Sequence, residues 1–287
     1  MAPSSSRSSG RWKSRLKLRR LWWFGVAAVV ALAVVSGANP PSAAPPSPPP
    51  APPPVSFTST APPAAESPFN EPLRLIAEAH KAYQEVKDYK CTFIKRERIN
   101  GKLQPENIIA MQFRAKPFSV FLDWQAPRDL VGMQACYVAG RNKGQMRVHT
   151  TGVAAILGFV SIDLNDSQVM EHSRHAITEA GFGNLIDRFG QNFETAKKKS
   201  KAEVKIATYE YNHRRCIRIE TTYADPKTAP DAVWRTILYL DKETHLPVRC
   251  ECYDAPRDGA KEGELIEMYS FVNVQLNPGL ADEVFKH

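Results

Sequence analysis

The chain has 287 residues, with 38 basic and 30 acidic side chains and a formal net charge of +8. Residues 1–38 contain seven of the basic residues and no acid, which leaves 31 basic and 30 acidic residues in the remainder. A main part that is nearly neutral lacks the basic surface that nucleic-acid binding needs, so we expect no nucleic-acid partner.

The basic N-terminus leads into an uncharged apolar run at residues 21–38, which predicts an export segment. As a helix, this run spans about 27 Å, slightly less than the ~30 Å hydrocarbon core of a bilayer. The small residues Ser36 and Ala38 precede Asn39 in the pattern of a cleavage site. The run therefore fits either a signal peptide or an anchor retained in the inner membrane.

Residues 39–68 contain 13 of the 23 prolines, mixed with alanine and serine, which predicts a disordered linker. A spacer of this kind favours a retained anchor, because it would hold the following domain away from the membrane. Residues 69–287 then predict a single globular β-rich domain, exported to the periplasmic side.

A first helix is predicted from Asn70 to about Lys87, because apolar residues recur there at helical spacing. Beyond it the period changes to two, which predicts strands through residues 111–150. A second helix is predicted from near Thr178, with an aromatic stripe. The segments that follow predict an antiparallel meander: 203–211, 214–223, 232–241, 245–254 and 263–274.

Strands that cluster without alternating helices exclude a doubly wound parallel sheet. We predict a mainly antiparallel α+β fold, in which a strongly curved, incompletely closed β-barrel-like sheet packs against two helices. Such a sheet leaves an apolar concavity that suits a hydrophobic ligand. For each side chain alone, the alternative is ordinary core packing. The predicted lining residues are Met111, Phe113, Phe118, Val120, Trp124, Phe182, Ile186, Phe189 and Leu238.

No hydrolase, metalloprotease or nucleotide-binding motif occurs, so we predict no catalytic residue, no metal and no cofactor. His172 and His175, next to Glu171, would share a face if the segment were helical, and could then bind a metal. The simpler alternative is ordinary surface histidines. Of the five cysteines (91, 136, 216, 250 and 252), pairs are possible in an oxidising compartment, and the odd number leaves at least one unpaired. Cys250 and Cys252 share one face of a predicted strand with Leu246 and Val248, and they are predicted to be buried apolar residues rather than a redox pair.

The segment Lys95–Arg98, "KRER", belongs to a predicted first hairpin and places charges on both faces of its strand. This pattern predicts an exposed or edge position, where charges prevent edge-to-edge pairing. The alternative is a docking surface for acidic headgroups or for a partner protein.

Four stretches carry a resemblance to a family: "YKCTFIKRERINGKLQPENIIAMQFRAKPFSVFLDWQAP", "ITEAGFGNLIDRF", "LPVRCECYD" and "GELIEMYSFVNVQLNPGLADEVF". In this order they resemble the exported bacterial domain of unknown function 1571. The order of segments is also similar to the lipoprotein-carrier fold of LolA and LolB, which the periplasmic stress sensor RseB shares. The second resemblance implies an unclosed barrel with a helical lid that binds acyl chains.

Three functions follow as expectations. The first is a cell-envelope protein that binds a lipid acyl chain or a lipoprotein as a carrier or chaperone. The second is an RseB-like stress sensor or scaffold, whose protein partner would contact Lys95, Arg96 and Arg98. The third is an enzyme, which would need catalytic side chains that only the fold brings together.

Overall fold

The computed structural model describes residues 67–199, 201–257 and 260–287. The helices in this part of the chain are α1 (Asn70–Tyr83), α2 (Ser167–Met170) and α3 (Phe182–Lys199). The strands are β1 (Asp88–Ile99), β2 (Lys102–Leu103), β3 (Asn107–Arg114), β4 (Ser119–Ala126), β5 (Gln134–Val138), β6 (Met146–His149), β7 (Val160–Ile162), β8 (Ala202–Tyr211), β9 (Arg214–Tyr223), β10 (Arg235–Asp241), β11 (Pro247–Tyr253) and β12 (Leu265–Leu276).

All twelve described strands join one antiparallel sheet, in the order β7-β6-β5-β4-β3-β1-β12-β11-β10-β9-β8, with β2 beside β1. The two halves of the chain meet where β1 pairs with β12, over residues 89–97 and 267–276. The terminal strands β7 and β8 do not pair with each other. The predicted antiparallel, incompletely closed sheet with helices is therefore confirmed.

Helices α1 and α3 pack against each other and against the concave face of the sheet. Gly190 of α3 makes this approach close, since a Cβ atom there would lie 3.2 Å from Ile76 of α1. Helix α3 begins at Phe182 rather than near Thr178, because Gly181 has a φ of +100° and cannot continue a right-handed helix. The apolar sides of both helices thus face the same sheet surface.

The main hydrophobic core lies between these helices and the sheet. The opposite face of β4 is also covered, because the C-terminal turn Asp282–Phe285 places Phe285 against Phe121. Both faces of that strand are consequently apolar, which obscures the simple alternation of a half-exposed strand. Residues 152–164, whose sequence does not distinguish strand from helix, form a 3-10 turn and the three-residue strand β7.

The predicted export segment, and the linker as far as residue 66, lie outside the residues that the structure describes. Within the described ranges, no helix has both the length and the apolar character needed to cross a bilayer. The described residues, 67–199, 201–257 and 260–287, belong to one compact unit.

Candidate ligand-binding site

The nine side chains predicted to line a pocket lie together in the main hydrophobic cluster, between α1, α3 and the sheet. Eight of them expose no more than 7% of their surface, and Phe118 is partly buried against the others. The structure therefore brings the predicted set together, as packed side chains beneath two helices. We call this group the apolar cluster: Met111, Phe113, Phe118, Val120, Trp124, Phe182, Ile186, Phe189 and Leu238.

Aromatic rings attach the first turn of α3 to the sheet. The ring centroid of Phe182 lies 4.4 Å from that of Tyr89 and 4.8 Å from that of Phe271. A Cβ atom on Gly181 would lie 2.7 Å from the Phe113 ring, so only glycine allows this approach. The Tyr89 hydroxyl is buried among these rings next to the backbone of Phe182, and it makes no hydrogen bond of good geometry to the described residues. Burial raises its pKa, so the hydroxyl is neutral.

A cavity of about 280 Å³ reaches the apolar cluster at Phe182. The cavity lies beside the end of β12 that extends past β11. Strand β11 pairs with β12 only as far as Ser270, whereas β1 pairs with β12 as far as Leu276. Turn residues such as Asn212 and His213 contribute polar groups to its wall, and Phe271 contributes an apolar one. Of the nine predicted lining residues, Phe182 alone borders this cavity.

A second group of side chains forms a buried ionic cluster on the same concave face. The Glu267 carboxylate accepts hydrogen bonds from Arg174 Nε at 2.8 Å and His175 Nε2 at 3.0 Å, and Arg188 Nη2 lies 2.9 Å away. Glu97 accepts a hydrogen bond from the Tyr269 hydroxyl at 2.6 Å. We call these residues the Glu267 cluster: Glu97, Arg174, His175, Arg188, Glu267 and Tyr269. It fastens the segment before α3, and α3 itself, to the sheet.

The charges of the Glu267 cluster stabilise one another. Burial would raise the pKa of Glu267, but its hydrogen bond from His175 and the positive charge of Arg188 outweigh burial and hold that pKa well below its usual range. Burial would also lower the pKa of His175, but the hydrogen bond to Glu267 and the charge of that carboxylate raise it. Glu179 accepts a second hydrogen bond from this imidazole at 2.8 Å. Arg188 Nη1 lies 3.2 Å from His175 Nε2, and its charge opposes protonation, but the two carboxylates outweigh it and the pKa of His175 is raised.

The prediction that Lys95–Arg98 is an exposed or edge segment is wrong except for Arg96, whose side chain is exposed. Strand β1 lies in the middle of the sheet, between β3 and β12, and Glu97 is only 4% exposed. Ion pairs make this burial tolerable: Lys95 Nζ lies 3.1 Å from Glu97, and Arg98 Nη1 lies 2.6 Å from Asp254. A signal for this was available, because Lys95 and Glu97 continue the inward phase of Phe93.

The described residues contain no group of three His, Cys, Asp or Glu side chains that could hold a metal ion. His175 is bound to two carboxylates instead of facing a metal with His172. All five cysteines are buried and free, which confirms the predicted burial of Cys250 and Cys252. Burial raises the pKa of Cys136 and of Cys216 to about 11, which disfavours the nucleophilic thiolate.

The fold and the site define a class of protein: an unclosed antiparallel sheet whose concave face carries two amphipathic helices over a large apolar cluster. The sequence identifies the family within this class. Residues 86–287 match the family described as "Protein of unknown function (DUF1571)", and the chain belongs to that family. The predicted membership is thus confirmed. No curated protein matches the sequence.

Several solved structures are similar to this chain at low identity. The lipoprotein LppX of Mycobacterium tuberculosis is 10% identical, with 73% of this chain and 96% of that chain covered and a TM-score of 0.43. A LolA superfamily protein of Nitrosomonas europaea is 12% identical, with coverages of 75% and 96% and a TM-score of 0.33. MucB, solved in complex with MucA(peri), is 12% identical, with coverages of 75% and 58% and a TM-score of 0.40.

Proposed function

We propose that this domain binds the acyl chain of a lipid or lipoprotein in the cell envelope and acts as a carrier or chaperone. One observation carries the proposal: α1 and α3 cover a continuous apolar surface on a sheet that does not close. In this reading the helices act as a lid, and the apolar cluster is the surface that a ligand contacts after the lid moves.

An acyl chain can replace the contacts that the lid gives up. Each buried CH₂ group contributes about 0.8 kcal/mol, so a 16-carbon chain offers roughly 12 kcal/mol before the losses of binding. Much of that free energy offsets the displacement of Phe182, Ile186 and Phe189 from the sheet. The Tyr89 hydroxyl, which makes no hydrogen bond of good geometry to the described residues, supplies a polar contact for the ligand.

The cavity beside Phe182 supports an entry point at the start of α3. The wall of the sheet is interrupted there, because β11 and β12 separate beyond Ser270. Gly181 directly precedes α3 and has a positive φ, so it is placed to act as a hinge for the helix. The export segment predicted at residues 21–38 would deliver the domain to the outer side of the inner membrane, and would hold it there if retained.

The alternative of a scaffold that docks through Lys95, Arg96 and Arg98 loses support. Lys95 and Arg98 are each 13% exposed and are paired with acidic side chains of the same domain. Two of its three cations are therefore engaged within the fold, and a partner would have to displace Glu97 and Asp254.

The test of the proposal is displacement of a fluorescent fatty acid from a fragment of residues 61–287. We expect saturable binding at micromolar concentration. Unlabelled amphiphiles should compete for the site; chains of about 12 to 18 carbons are chosen for the assay, because this is about the length that fills such a cleft. An equally long polar polyether serves as the control competitor. Fluorescence that rises linearly without saturation would remove the proposal.

A further inference from the structure

The turn between β6 and β7 carries three of the six large apolar side chains that are exposed in the described part of the chain. Gly152–Leu157 form a 3-10 turn, in which Val153 is 82%, Ile156 90% and Leu157 70% exposed. Residues three apart lie on the same side of a 3-10 helix, so Val153 and Ile156 point the same way. Single exposed apolar side chains are common, but three in one turn indicate an interaction site. We call Gly152–Leu157 the apolar turn.

The neighbouring loop between β4 and β5 extends this exposed surface, because its Val131 is 52% exposed. The two loops are in contact. The Thr151 hydroxyl donates a hydrogen bond to the backbone carbonyl of Asp129 at 3.4 Å. His149 Nδ1 lies 3.4 Å from the backbone carbonyl of Gly132. The exposed apolar side chains therefore come from two adjacent loops at one end of the sheet.

The charges around the apolar turn favour an anionic partner. The turn itself is uncharged, and residues 130–162 contain no Asp or Glu. The acid on the neighbouring loop, Asp129, directly follows Arg128. An anionic surface would therefore approach this end of the sheet without strong repulsion.

Helix α3 brings a basic run to the same end of the sheet. Its last turn contains Lys197–Lys199, and Lys201 follows directly before β8; all four lysines are exposed. Neighbouring strands of the sheet are antiparallel throughout, so the start of β8 lies at the same end as the last residues of β4 and β6. Lysines in this position attract the anionic headgroups of a membrane.

The described chain also begins toward this end. Helix α1 is antiparallel to α3, because a Cβ atom on Gly183, at the start of α3, would lie 2.5 Å from Tyr83, at the end of α1. The ring centroid of Phe69, directly before α1, lies 6.0 Å from that of Phe193. Phe193 precedes Lys197 by four residues, about 6 Å along the helix. The predicted linker and export segment precede Phe69, so a retained anchor would attach the domain near the end that carries the lysines.

Three features therefore meet at one end of the domain: an exposed apolar turn, a basic run and the start of the described chain. Apolar side chains combined with exposed lysines are typical of proteins that rest in the interface of an anionic membrane. We propose that this end of the domain docks on an anionic phospholipid bilayer. The apolar turn enters the boundary between headgroups and acyl chains, and the lysines contact anionic headgroups.

Docking in this orientation leaves the cavity beside Phe182 accessible. Asn212 and His213, in the wall of that cavity, belong to the turn between β8 and β9 at the opposite end of the sheet. The inference does not depend on the proposed ligand.

Fluorophore quenching in the full-length chain, reconstituted in lipid vesicles, tests the docking. The vesicles contain phosphatidylethanolamine and phosphatidylglycerol, and some of the lipids carry a nitroxide on the upper part of an acyl chain. Ile156→Cys is labelled with an environment-sensitive fluorophore, with which the buried native cysteines should not react. Lys242→Cys is the matched control, because Lys242 is exposed on the turn between β10 and β11, at the opposite end of the sheet.

We expect at least about fivefold stronger quenching at position 156 than at position 242, because an interfacial side chain is buried about 5–10 Å into the boundary of headgroups and acyl chains. Equal quenching at both positions would show that the N-terminal segment alone brings the domain to the bilayer. An unquenched fluorophore at position 156 would show that the apolar turn stays in water. A blue shift at position 156 that grows with protein concentration, without quenching, would show contact with a second copy. Each of these three results overturns the proposal.

Ile156→Asp, with the fluorophore on Val131→Cys, tests the turn itself. Aspartate at this exposed position should leave the circular dichroism unchanged, and it should remove most of the quenching at position 131, because a carboxylate is unfavourable in the apolar boundary and is repelled by anionic headgroups. Phosphatidylcholine in place of phosphatidylglycerol removes the anionic headgroups and should weaken the quenching of the chain with an unmodified turn. Persistent quenching in the aspartate variant, or equal quenching without phosphatidylglycerol, would contradict the proposal.

Discussion

Substitution of Glu267 by glutamine should remove the central anion of the Glu267 cluster while keeping the shape of the side chain. Glu267 is 1% exposed and contacts the side chains of Arg174, His175 and Arg188. Breaking a buried ion pair from one side costs about 3–5 kcal/mol. Arg174 and Arg188 are 38% and 29% exposed and can partly rehydrate, which places the expected loss near the lower end, at about 3 kcal/mol.

For a domain of this size, such a loss lowers Tm by roughly 6–12 °C. Urea unfolding of residues 61–287, followed by circular dichroism, measures the free energy directly. Glu203→Gln is the matched control, because Glu203 is 64% exposed and, among the described residues, forms an ion pair only with the exposed Lys205. Its loss should therefore stay below about 0.5 kcal/mol. A Glu267→Gln variant within about 1 kcal/mol of the unmodified protein would refute the assignment of a stabilising ionic cluster.

Three further predictions concern pH, the hinge and the thiols. The pKa of His175 is raised in the folded state, so its contribution to stability is fully present below the ordinary histidine pKa of about 6.5 and is lost as pH rises through the folded-state pKa. The His175→Gln variant should therefore lose more unfolding free energy at about pH 5.5 than at about pH 9. An equal loss at both pH values would contradict this. Gly181→Ala should destabilise the fold by more than about 1 kcal/mol, because it combines a positive φ with a clash against Phe113, whereas Gly279→Ala has the same type of φ and open space. The buried cysteines should react with a thiol reagent only after denaturation; rapid labelling of the native protein would show that the packing is not as described.

Local sequence patterns predicted most of the sheet. Strand β9 has the predicted bounds, residues 214–223, and β8 differs from its prediction by one residue. In this hairpin the alternation of apolar and polar residues and the position of the turn indicate the same strand ends. Residues close in sequence therefore define both the register and the ends of β8 and β9. The apolar cluster was also predictable. Alternation along the strands and helical spacing in α3 identify the side chains that point inward, and neither requires knowledge of the topology.

The Glu267 cluster was not predicted, because it depends on contacts between distant segments. Glu97 and Glu267 are neighbours only because β1 pairs with β12 across the middle of the sheet. Arg174 and His175 reach them from a segment without clear periodicity, and Arg188 reaches them from α3. The charged segment Lys95–Arg98 predicts an edge strand if its charges are taken to be unpaired. In the structure each of its buried charges has a partner of opposite charge, so the segment can lie inside the sheet.

A β-bulge in β11 explains why one side chain, that of Val248, points to the opposite face of the sheet from the one predicted. Alternation predicts Val248 on the same face as Cys250 and Cys252. In the structure the register between β10 and β11 shifts at this point, with Tyr239 opposite Arg249 and Leu240 opposite Pro247. Val248 is the extra residue and packs in the cluster on the convex face.

The most direct test of the central claim is whether a ligand chain reaches the apolar cluster. Trp124 belongs to that cluster, and Trp234 does not. In a fragment of residues 61–287, Trp234→Phe leaves Trp124 as the reporter, and Trp124→Phe leaves Trp234. A brominated fatty acid, which quenches indole fluorescence at contact, should quench the Trp124 reporter saturably and leave the Trp234 reporter nearly unchanged. Equal quenching of both reporters, or none of Trp124, would contradict a ligand site beneath the helices.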